Sequence, residues 1–170
     1  MMWTEPDSLP SGDDICEHLP GRALIEFELS RENLPQPDSI VNRLFESSRA
    51  RWKLLESEPG SRVQWRQEGP DRFRYSILLT GKAVTSAIDV WRQGAEVMRS
   101  HAHLARSGRL DCAIHRYTVS PGAEHVTLRE QIELRSTSRI FRLYRHRVGR
   151  DVARAANDQL DELVWALRTG

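Results

Sequence analysis

The hydrophobic and polar positions along the chain follow two different periods, and a strand-like period dominates the middle. Between residues 63 and 136, six runs rich in Val, Ile, Tyr and Trp are each closed by a turn signal, as at Gly69-Pro70-Asp71 and Gln93-Gly94. Turn residues at such regular spacing between strand-like runs are typical of an antiparallel meander of hairpins. The predicted strands span residues 63–67, 72–79, 82–92, 95–106, 109–120 and 124–134.

Helical spacing occurs on both sides of this meander. In residues 37–59 apolar side chains recur every three or four positions, which predicts one helix, or two helices divided near Ser47-Ser48. Residues 138–168 carry a longer apolar stripe with Arg and Asp on the other face, and Gly149 is a candidate kink. Residues 22–29 precede both helical segments and form a short strand-like run.

The start of the chain has a different character. Residues 1–20 contain three prolines and five acidic side chains, a composition that buries too little apolar surface to offset the entropy of ordering. We therefore expect a flexible acidic arm over residues 1–20. The remaining residues, 21–170, are of a length that fits one domain.

The predicted order is thus one strand, one or two helices, six strands and a long C-terminal helix. This order resembles the helix-grip fold of the SRPBCC superfamily, which includes START domains, Bet v 1-like proteins and polyketide cyclases/aromatases. The resemblance covers residues 21–170 and rests on element order rather than on a short motif, so no catalytic residue is carried over. It implies an α+β fold in which a seven-stranded curved antiparallel sheet wraps around the C-terminal helix. It also implies a cavity between sheet and helix that takes lipids, sterols or aromatic polyketides.

The apolar stripe of the last helix fits this arrangement. Large side chains lie towards both ends of the stripe, whereas Val152, Ala155 and Ala156 in its middle are small. Small side chains there would leave room beneath the helix. Close packing of the same residues against bulky strand side chains is the alternative.

Composition narrows the cellular setting. The 25 Lys and Arg residues nearly balance the 24 Asp and Glu residues, which argues against a protein held to nucleic acid by bulk charge. No apolar run approaches the roughly 20 residues of a membrane-spanning helix, and no secretory signal is evident. Cys16 and Cys112 are too few for a disulfide framework. We expect a cytoplasmic protein without membrane insertion, cofactor or metal.

Tight hairpin turns would determine which polar side chains face the C-terminal helix, because successive strand residues alternate between faces. Pairing of Ile77 with Val84 would put Phe73, Tyr75 and Ile88 on that inner face. Carrying the register through the later turns adds a mixed set to it: Arg99, His101, His103, Ile114, Arg116 and Glu130. A one-residue bulge in the strand 95–106 would instead turn Met98, Ser100, Ala102 and Leu104 inward.

These inward polar residues suggest chemistry. Pairing of Arg116 with Glu130 would neutralise both, and Arg99 would remain to meet an anionic or enolate-like oxygen of a ligand. His101 has a side chain that exchanges protons near neutral pH. The catalytic candidates are therefore Arg116, Glu130 and His101. The predicted ligand-binding residues are Phe73, Tyr75, Ile88, Arg99, His103, Ile114, Val152, Ala155 and Ala156.

Two other groupings are weaker. His101 and His103 with Cys112 across the strand resemble part of a zinc site, but the fourth ligand is not evident, and ordinary hydrogen bonds are the favoured interpretation. Basic residues crowd the start of the last helix, where they form either a solvated face or a contact surface for RNA phosphates or an acidic partner. They are Arg139, Arg142, Arg145, His146, Arg147 and Arg150.

Two classes of function fit these predictions. The chain binds a small hydrophobic or aromatic ligand and catalyses cyclisation, aromatisation or dehydration, as the resemblance to polyketide cyclases implies. Alternatively it is a non-catalytic carrier or sensor of a lipid-like ligand, or a protein-interaction module of the same fold. The sequence does not decide between enzyme and carrier and indicates no oligomeric state.

Overall fold

A computed structural model describes residues 15–17, 19, 25–34, 36–56, 61–79, 84–105, 109–122 and 125–169. Strands and helices follow one another in the predicted order. Their bounds are β1 Ile25–Leu34, α1 Pro37–Glu56, β2 Ser61–Gln67, β3 Arg72–Leu79, β4 Val84–Gln93, β5 Glu96–Ala105, β6 Leu110–Pro121, β7 Val126–Ser136, α2 Arg139–Leu143 and α3 Arg145–Thr169.

All seven strands form one curved antiparallel sheet in the order β1-β7-β6-β5-β4-β3-β2. Successive strands from β2 to β7 are neighbours, as a meander of hairpins requires, and β1 joins the free edge of β7. Because β1 and β2 lie at opposite edges, the segment that contains α1 has to cross the sheet between them. The predicted α+β helix-grip fold is confirmed.

The concave face of the sheet is covered by α1 and α3. Phe45 of α1 meets Phe73 of β3 edge to face, with ring centroids 5.2 Å apart and planes at 74°. Leu160 and Val164 of α3 join the same buried cluster. The cluster gives the sheet and both helices a shared apolar core, and the burial of apolar surface in such a core is the main favourable contribution to folding. The α1 residues in it are Ile40, Val41, Leu44 and Phe45.

The convex face of the sheet carries a second, smaller cluster. Ile15, Cys16 and Leu19 are buried there against side chains of β4, β5 and β6. These three residues belong to the expected N-terminal arm. The other residues of that arm apart from Glu17, and the expected domain start at residue 21, lie outside the described residues.

The last helical segment is divided at Tyr144, and α3 continues through Gly149 as one helix. Tyr144 ends α2 with φ −99° and ψ 14°, and its carbonyl then accepts hydrogen bonds from the N–H groups of Arg147 and Val148 at 3.0 Å. A Cβ on Gly149 would lie 3.3 Å from Ile25 Cγ2, so this glycine allows β1 to approach closely. Among the described residues, no helix is both long and apolar enough to cross a bilayer.

The register of β6 differs from the prediction on both sides. The predicted register pairs His101 with Ile114 and Arg116 with Glu130, whereas His101 pairs with Ala113 and Arg116 with Gln131, each one residue away. A four-residue loop separates Pro121 from its partner Val126, and a single-residue change in loop length turns a whole strand over. The predicted inward positions of Ile114 and Arg116 are therefore wrong: both face the convex side.

The strands that flank β6 keep the faces predicted for them. β5 pairs with β4 without interruption from Ala105 to Glu96, so the bulge considered for β5 does not occur. Arg99, His101 and His103 consequently share the concave face with Glu130 of β7. Between β3 and β4 the register is shifted by two residues, with Ile77 opposite Ser86, which preserves the predicted face.

Candidate ligand-binding site

A cavity of about 380 Å³ lies between the concave face and α3, and we call it the larger cavity. Small-molecule sites usually have volumes of roughly 300–1,000 Å³. Its wall is mainly apolar on α3 and β3, apart from Gln159 of α3, and carries polar groups on β4, β5 and β6. The lining residues are Tyr75, Ile77, Ser86, Ile88, Arg99, His101, His115, Val152, Ala155, Ala156 and Gln159.

The larger cavity exists because α3 presents small side chains at this level. Val152, Ala155, Ala156 and Gln159 recur at three- and four-residue spacing, which places them on one face of the helix. Their short apolar members do not fill the space above β3, β4 and β5. Ala155 and Gln159 are also exposed, so the larger cavity is open to solvent rather than sealed.

A second cavity, of about 310 Å³, adjoins the first, and we call it the smaller cavity. Arg99 and Gln159 line both cavities and mark the junction between them. α1 closes the smaller cavity with the C-terminal half of α3. Its wall is more polar, and the charged or hydroxyl-bearing lining residues other than Arg99 are Arg43, Ser47, Ser48, Tyr117, Glu130 and Glu162.

Glu130 is the most deeply buried charged group of the site. Its side chain is 2% exposed, and its Oε1 lies 2.7 Å from Nδ1 of His115, whose side chain is 13% exposed. A buried carboxylate is costly unless a hydrogen-bond partner or an opposite charge compensates it, and His115 supplies that partner. The His115 ring in turn stacks on Tyr117, with centroids 6.3 Å apart and planes at 13°. The contact fixes the position of the imidazole beside the larger cavity.

Arg99 stands next to this pair. It lies directly opposite His115 in the register of β5 and β6 and is half-buried. Within the part of the chain that the structure describes, its guanidinium makes no hydrogen bond or ion pair. A guanidinium is a five-donor group suited to carboxylates and other oxyanions. Its donors are therefore available at the junction of the two cavities.

The other predicted residues are distributed unevenly. His101 lines the larger cavity, and its ring centroid is 6.3 Å from that of His103, which is not part of the lining. Phe73 is wholly buried in the core beside Phe45 rather than at a cavity. The predicted contacts that do line the larger cavity are Tyr75, Ile88, Arg99, Val152, Ala155 and Ala156.

Two further predicted residues lie on the wrong face for the site. Arg116 faces the convex side, is 46% exposed and pairs with Glu133 at 3.4 Å, so its predicted pairing with Glu130 does not form. Ile114 is buried in the convex cluster with Ile15 and Leu19. The inverted register of β6 accounts for both.

The same inversion explains which residues the sequence reasoning missed. His115 and Tyr117 occupy positions on β6 that the predicted register assigns to the other face. Both faces of β6 contain polar and apolar side chains, so alternation alone gives no signal there. Gln159 could have been found, because it continues the helical spacing of Val152 and Ala156.

The placement of Cys112 argues against a zinc site shared with the two histidines. Cys112 is buried on the convex face, whereas His101 and His103 face the concave side. Among the described residues, no group of three or more His, Cys, Asp or Glu side chains is close enough to hold a metal ion.

Comparison with known proteins gives a likeness of fold. Neither the family models nor the curated proteins match the sequence. Among solved structures, the chain is similar to the di-domain ARO/CYC StfQ from the steffimycin biosynthetic pathway, at 14% identity and a TM-score of 0.58, covering 84% of this chain and 50% of that one. It is also similar to a conserved protein from Geobacillus kaustophilus, at 10% identity and a TM-score of 0.56, covering 85% and 95% of the two chains. A hypothetical protein from Helicobacter pylori, jhp0584, has 12% identity, a TM-score of 0.55 and coverage of 98% and 99%.

The protein has the SRPBCC-type fold. The identities are low, so the likeness concerns the fold and not the chemistry of the site. Within this SRPBCC-type fold, the space between sheet and last helix holds the larger cavity, which Arg99 and His115 line, and Glu130 lines the adjoining smaller cavity.

Proposed function

We propose that the protein binds a small aromatic or hydrophobic molecule that carries an acidic oxygen. The apolar body of the ligand occupies the larger cavity, and its oxygen meets Arg99 at the junction. The observation that carries this proposal is the guanidinium of Arg99, half-buried and without a partner among the described residues, where the mainly apolar larger cavity meets the smaller one.

The chemistry of the wall supports an apolar ligand body. Ile77, Ile88 and Val152 offer aliphatic surface, and Tyr75 adds an aromatic ring. Burying a ligand against such a wall contributes roughly 25 cal/mol for each Å² of apolar area removed from water. Polar contacts then serve mainly to orient the ligand.

Two fluorescent probes test the role of Arg99. The first, 8-anilinonaphthalene-1-sulfonate, and the second, N-phenyl-1-naphthylamine, share one aromatic skeleton, and only the first carries an anionic group. We expect both to bind the wild-type protein, with the sulfonate probe binding more tightly. Arg99→Gln should weaken binding of the sulfonate probe about tenfold, which is the effect expected from losing one charge-assisted hydrogen bond. It should leave the affinity for the neutral probe nearly unchanged.

Arg116→Gln is the matched control, since it removes an arginine from the neighbouring strand on the opposite face. It should leave the Kd of both probes unchanged. Failure of both probes to bind would contradict the cavity proposal as a whole. If Arg99→Gln and Arg116→Gln weakened binding of the sulfonate probe equally, the role of Arg99 would be contradicted but the cavity proposal would not. Native mass spectrometry of the purified full chain would show whether an apolar molecule co-purifies.

A second candidate function is proton transfer to and from the bound ligand, and the contact between His115 and Glu130 favours it. A carboxylate on Nδ1 orients an imidazole and raises its basicity, so Nε2 would accept the proton. In such a step the C–H bond next to a carbonyl breaks, its electron pair enters an enolate held by Arg99, and the proton goes to His115. A hydroxyl group on the next carbon, β to the carbonyl, would then leave as water after taking the proton from His115, which gives the dehydration expected of a polyketide cyclase-like enzyme and restores the neutral imidazole.

Hydrogen–deuterium exchange at the carbon next to the carbonyl of 1-tetralone, an aromatic ketone, measures this step directly. We expect the wild-type protein to accelerate exchange in D₂O. His115→Gln should reduce the acceleration at least about a hundredfold, within the usual range for a general base, whereas Arg116→Gln should retain it. Tight probe binding without accelerated exchange would favour the carrier over the enzyme.

A further inference from the structure

The start of the last helical segment carries basic and large apolar side chains side by side at the surface. We call residues 139–150 the basic–apolar patch. It contains five arginines and His146 and no acidic residue. All six basic side chains are exposed. Between them, Ile140, Leu143 and Tyr144 are exposed to 67%, 80% and 58%.

The charges of the basic–apolar patch are not neutralised by neighbouring side chains. None of its arginine side chains forms a hydrogen bond or ion pair among the residues that the structure describes, and α2 contributes no buried residue. Several arginines elsewhere on the surface are paired, as Arg31 is with Asp161 at 2.9 Å and Arg92 with Asp71 at 2.6 Å. A cluster of unpaired like charges around exposed apolar groups is typical of an interaction surface.

The basic–apolar patch adjoins the larger cavity. One row of paired residues crosses the sheet from Ile77 through Ser86 to Ser136, by way of His103 and Asp111. Ile77 and Ser86 line the larger cavity, and α2 begins three residues after Ser136. At the other end of the patch, α3 reaches the cavity wall two residues further on. The patch and the larger cavity therefore lie at the same end of the sheet.

We propose that the basic–apolar patch docks the protein on an anionic phospholipid surface. Its arginines contact the headgroups, and Ile140, Leu143 and Tyr144 enter the boundary between headgroups and acyl chains. This mode of binding is peripheral and involves no membrane-spanning helix. It is independent of the ligand proposed above, although it would place the larger cavity next to a source of apolar molecules.

The combination of side chains favours a bilayer over the other polyanions. Arginines alone would serve equally well for binding RNA. Proteins that bind single-stranded RNA, however, stack its bases on aromatic side chains, and RNA offers no apolar phase for Ile140 and Leu143. A bilayer offers both an anionic surface and an apolar interior within a few ångströms. Each basic side chain near such a surface adds to the attraction, and the attraction falls as salt screens it.

Vesicle sedimentation tests the proposal with the full chain. The two vesicle types are phosphatidylcholine alone and phosphatidylcholine with about 30 mol % phosphatidylserine, a content that gives a negative surface potential. We expect binding to the anionic vesicles, weakening as salt is raised, and little binding to the neutral ones. No binding to either type, or equal binding to both, would overturn the proposal.

A matched pair of double variants locates the surface. Arg142→Gln with Leu143→Ser removes one charge and one apolar side chain from the patch, and should weaken binding to anionic vesicles about tenfold. Trp165→Ser with Arg168→Gln removes the same kinds of side chain at the far end of α3, where Trp165 is 70% exposed, and should leave binding unchanged.

Thermal unfolding of the two double variants separates a lost contact from a lost fold. All four substituted side chains are exposed, so both variants should unfold at the wild-type temperature. Equal weakening of vesicle binding by both double variants would overturn the assignment to the patch. Salt-dependent binding of polyuridine or polyglutamate without binding to vesicles would also overturn the proposal.

Discussion

Glu130 occupies an apolar row of β7 between Leu128 and Ile132, both of which are fully buried. An isolated carboxylate in such a row would be expensive to bury, so its presence predicts a partner. The predicted register makes that partner Arg116. The structure supplies His115 instead, at 2.7 Å. The need for a partner was therefore predictable from one strand, whereas the partner's identity depended on the register of the next.

Removing His115 should destabilise the protein markedly. His115→Ala leaves the Glu130 side chain buried without this partner, and breaking a buried pair from one side typically costs about 3–5 kcal/mol. We expect a loss of about 3 kcal/mol in the free energy of unfolding, measured by urea denaturation. The double variant His115→Leu with Glu130→Leu should be more stable than the sum of the single effects, since neither partner is then left behind.

An exposed pair provides the control for this measurement. Arg129 and Glu28 lie 3.3 Å apart on the outer side of the sheet, with side chains 56% and 46% exposed. Glu28→Gln should cost less than about 1 kcal/mol, because solvent screens such pairs. A His115→Ala loss no larger than this control would contradict the view that the buried contact stabilises the fold.

At the scale of elements, β6 shows that hydrophobic periodicity and turn spacing predict a strand but not which face of the sheet its side chains occupy. Strand existence and order follow from turn residues and β-branched runs, and these were predictable. The face of a strand depends on the parity of each loop, and two one-residue differences, at the two ends of β6, inverted it. The two differences cancel for β5, which is why Arg99, His101 and His103 face the side expected for them.

The helices show the same limit in another form. The apolar stripe predicted one long segment after β7, and Gly149 was the natural place for an irregularity. Instead the break falls at Tyr144, and Gly149 serves the packing of α3 on Ile25 of β1. A tertiary contact of this kind leaves no trace in helical spacing. In α1 the possible division at Ser47-Ser48 does not occur, because the helix runs unbroken across the core.

At the scale of the whole molecule, the basic–apolar patch and the two cavities follow one another along the last helical segment. The basic–apolar patch comes first, the larger apolar cavity follows at Val152 to Gln159, and the more polar smaller cavity lies beyond Gln159. Arg99 stands at the boundary between the two cavities. The family resemblance implied the space between sheet and helix, but its division into an apolar and a polar part depends on α1, whose packing the sequence did not specify.

Because the two cavities differ in polarity, enlarging an alanine of α3 in one cavity should affect ligand binding differently from enlarging one in the other. Ala155 lines the larger cavity and Ala166 lines the smaller one. Ala155→Leu should reduce binding of N-phenyl-1-naphthylamine at least about tenfold, because three added carbon atoms occupy the volume that the naphthyl ring needs. Ala166→Leu should leave binding of this neutral probe within about twofold of wild type, since the smaller cavity takes no part in holding an apolar body.

Stability measurements on the same two variants separate blocking from unfolding. Leucine is nearly as good a helix former as alanine, and filling empty space adds apolar contact, so neither substitution should lower the free energy of unfolding by more than about 1 kcal/mol. Loss of probe binding in Ala155→Leu at unchanged stability would locate the probe in the larger cavity. Loss in Ala166→Leu alone would place it beneath α1 and contradict the proposed division of the interior.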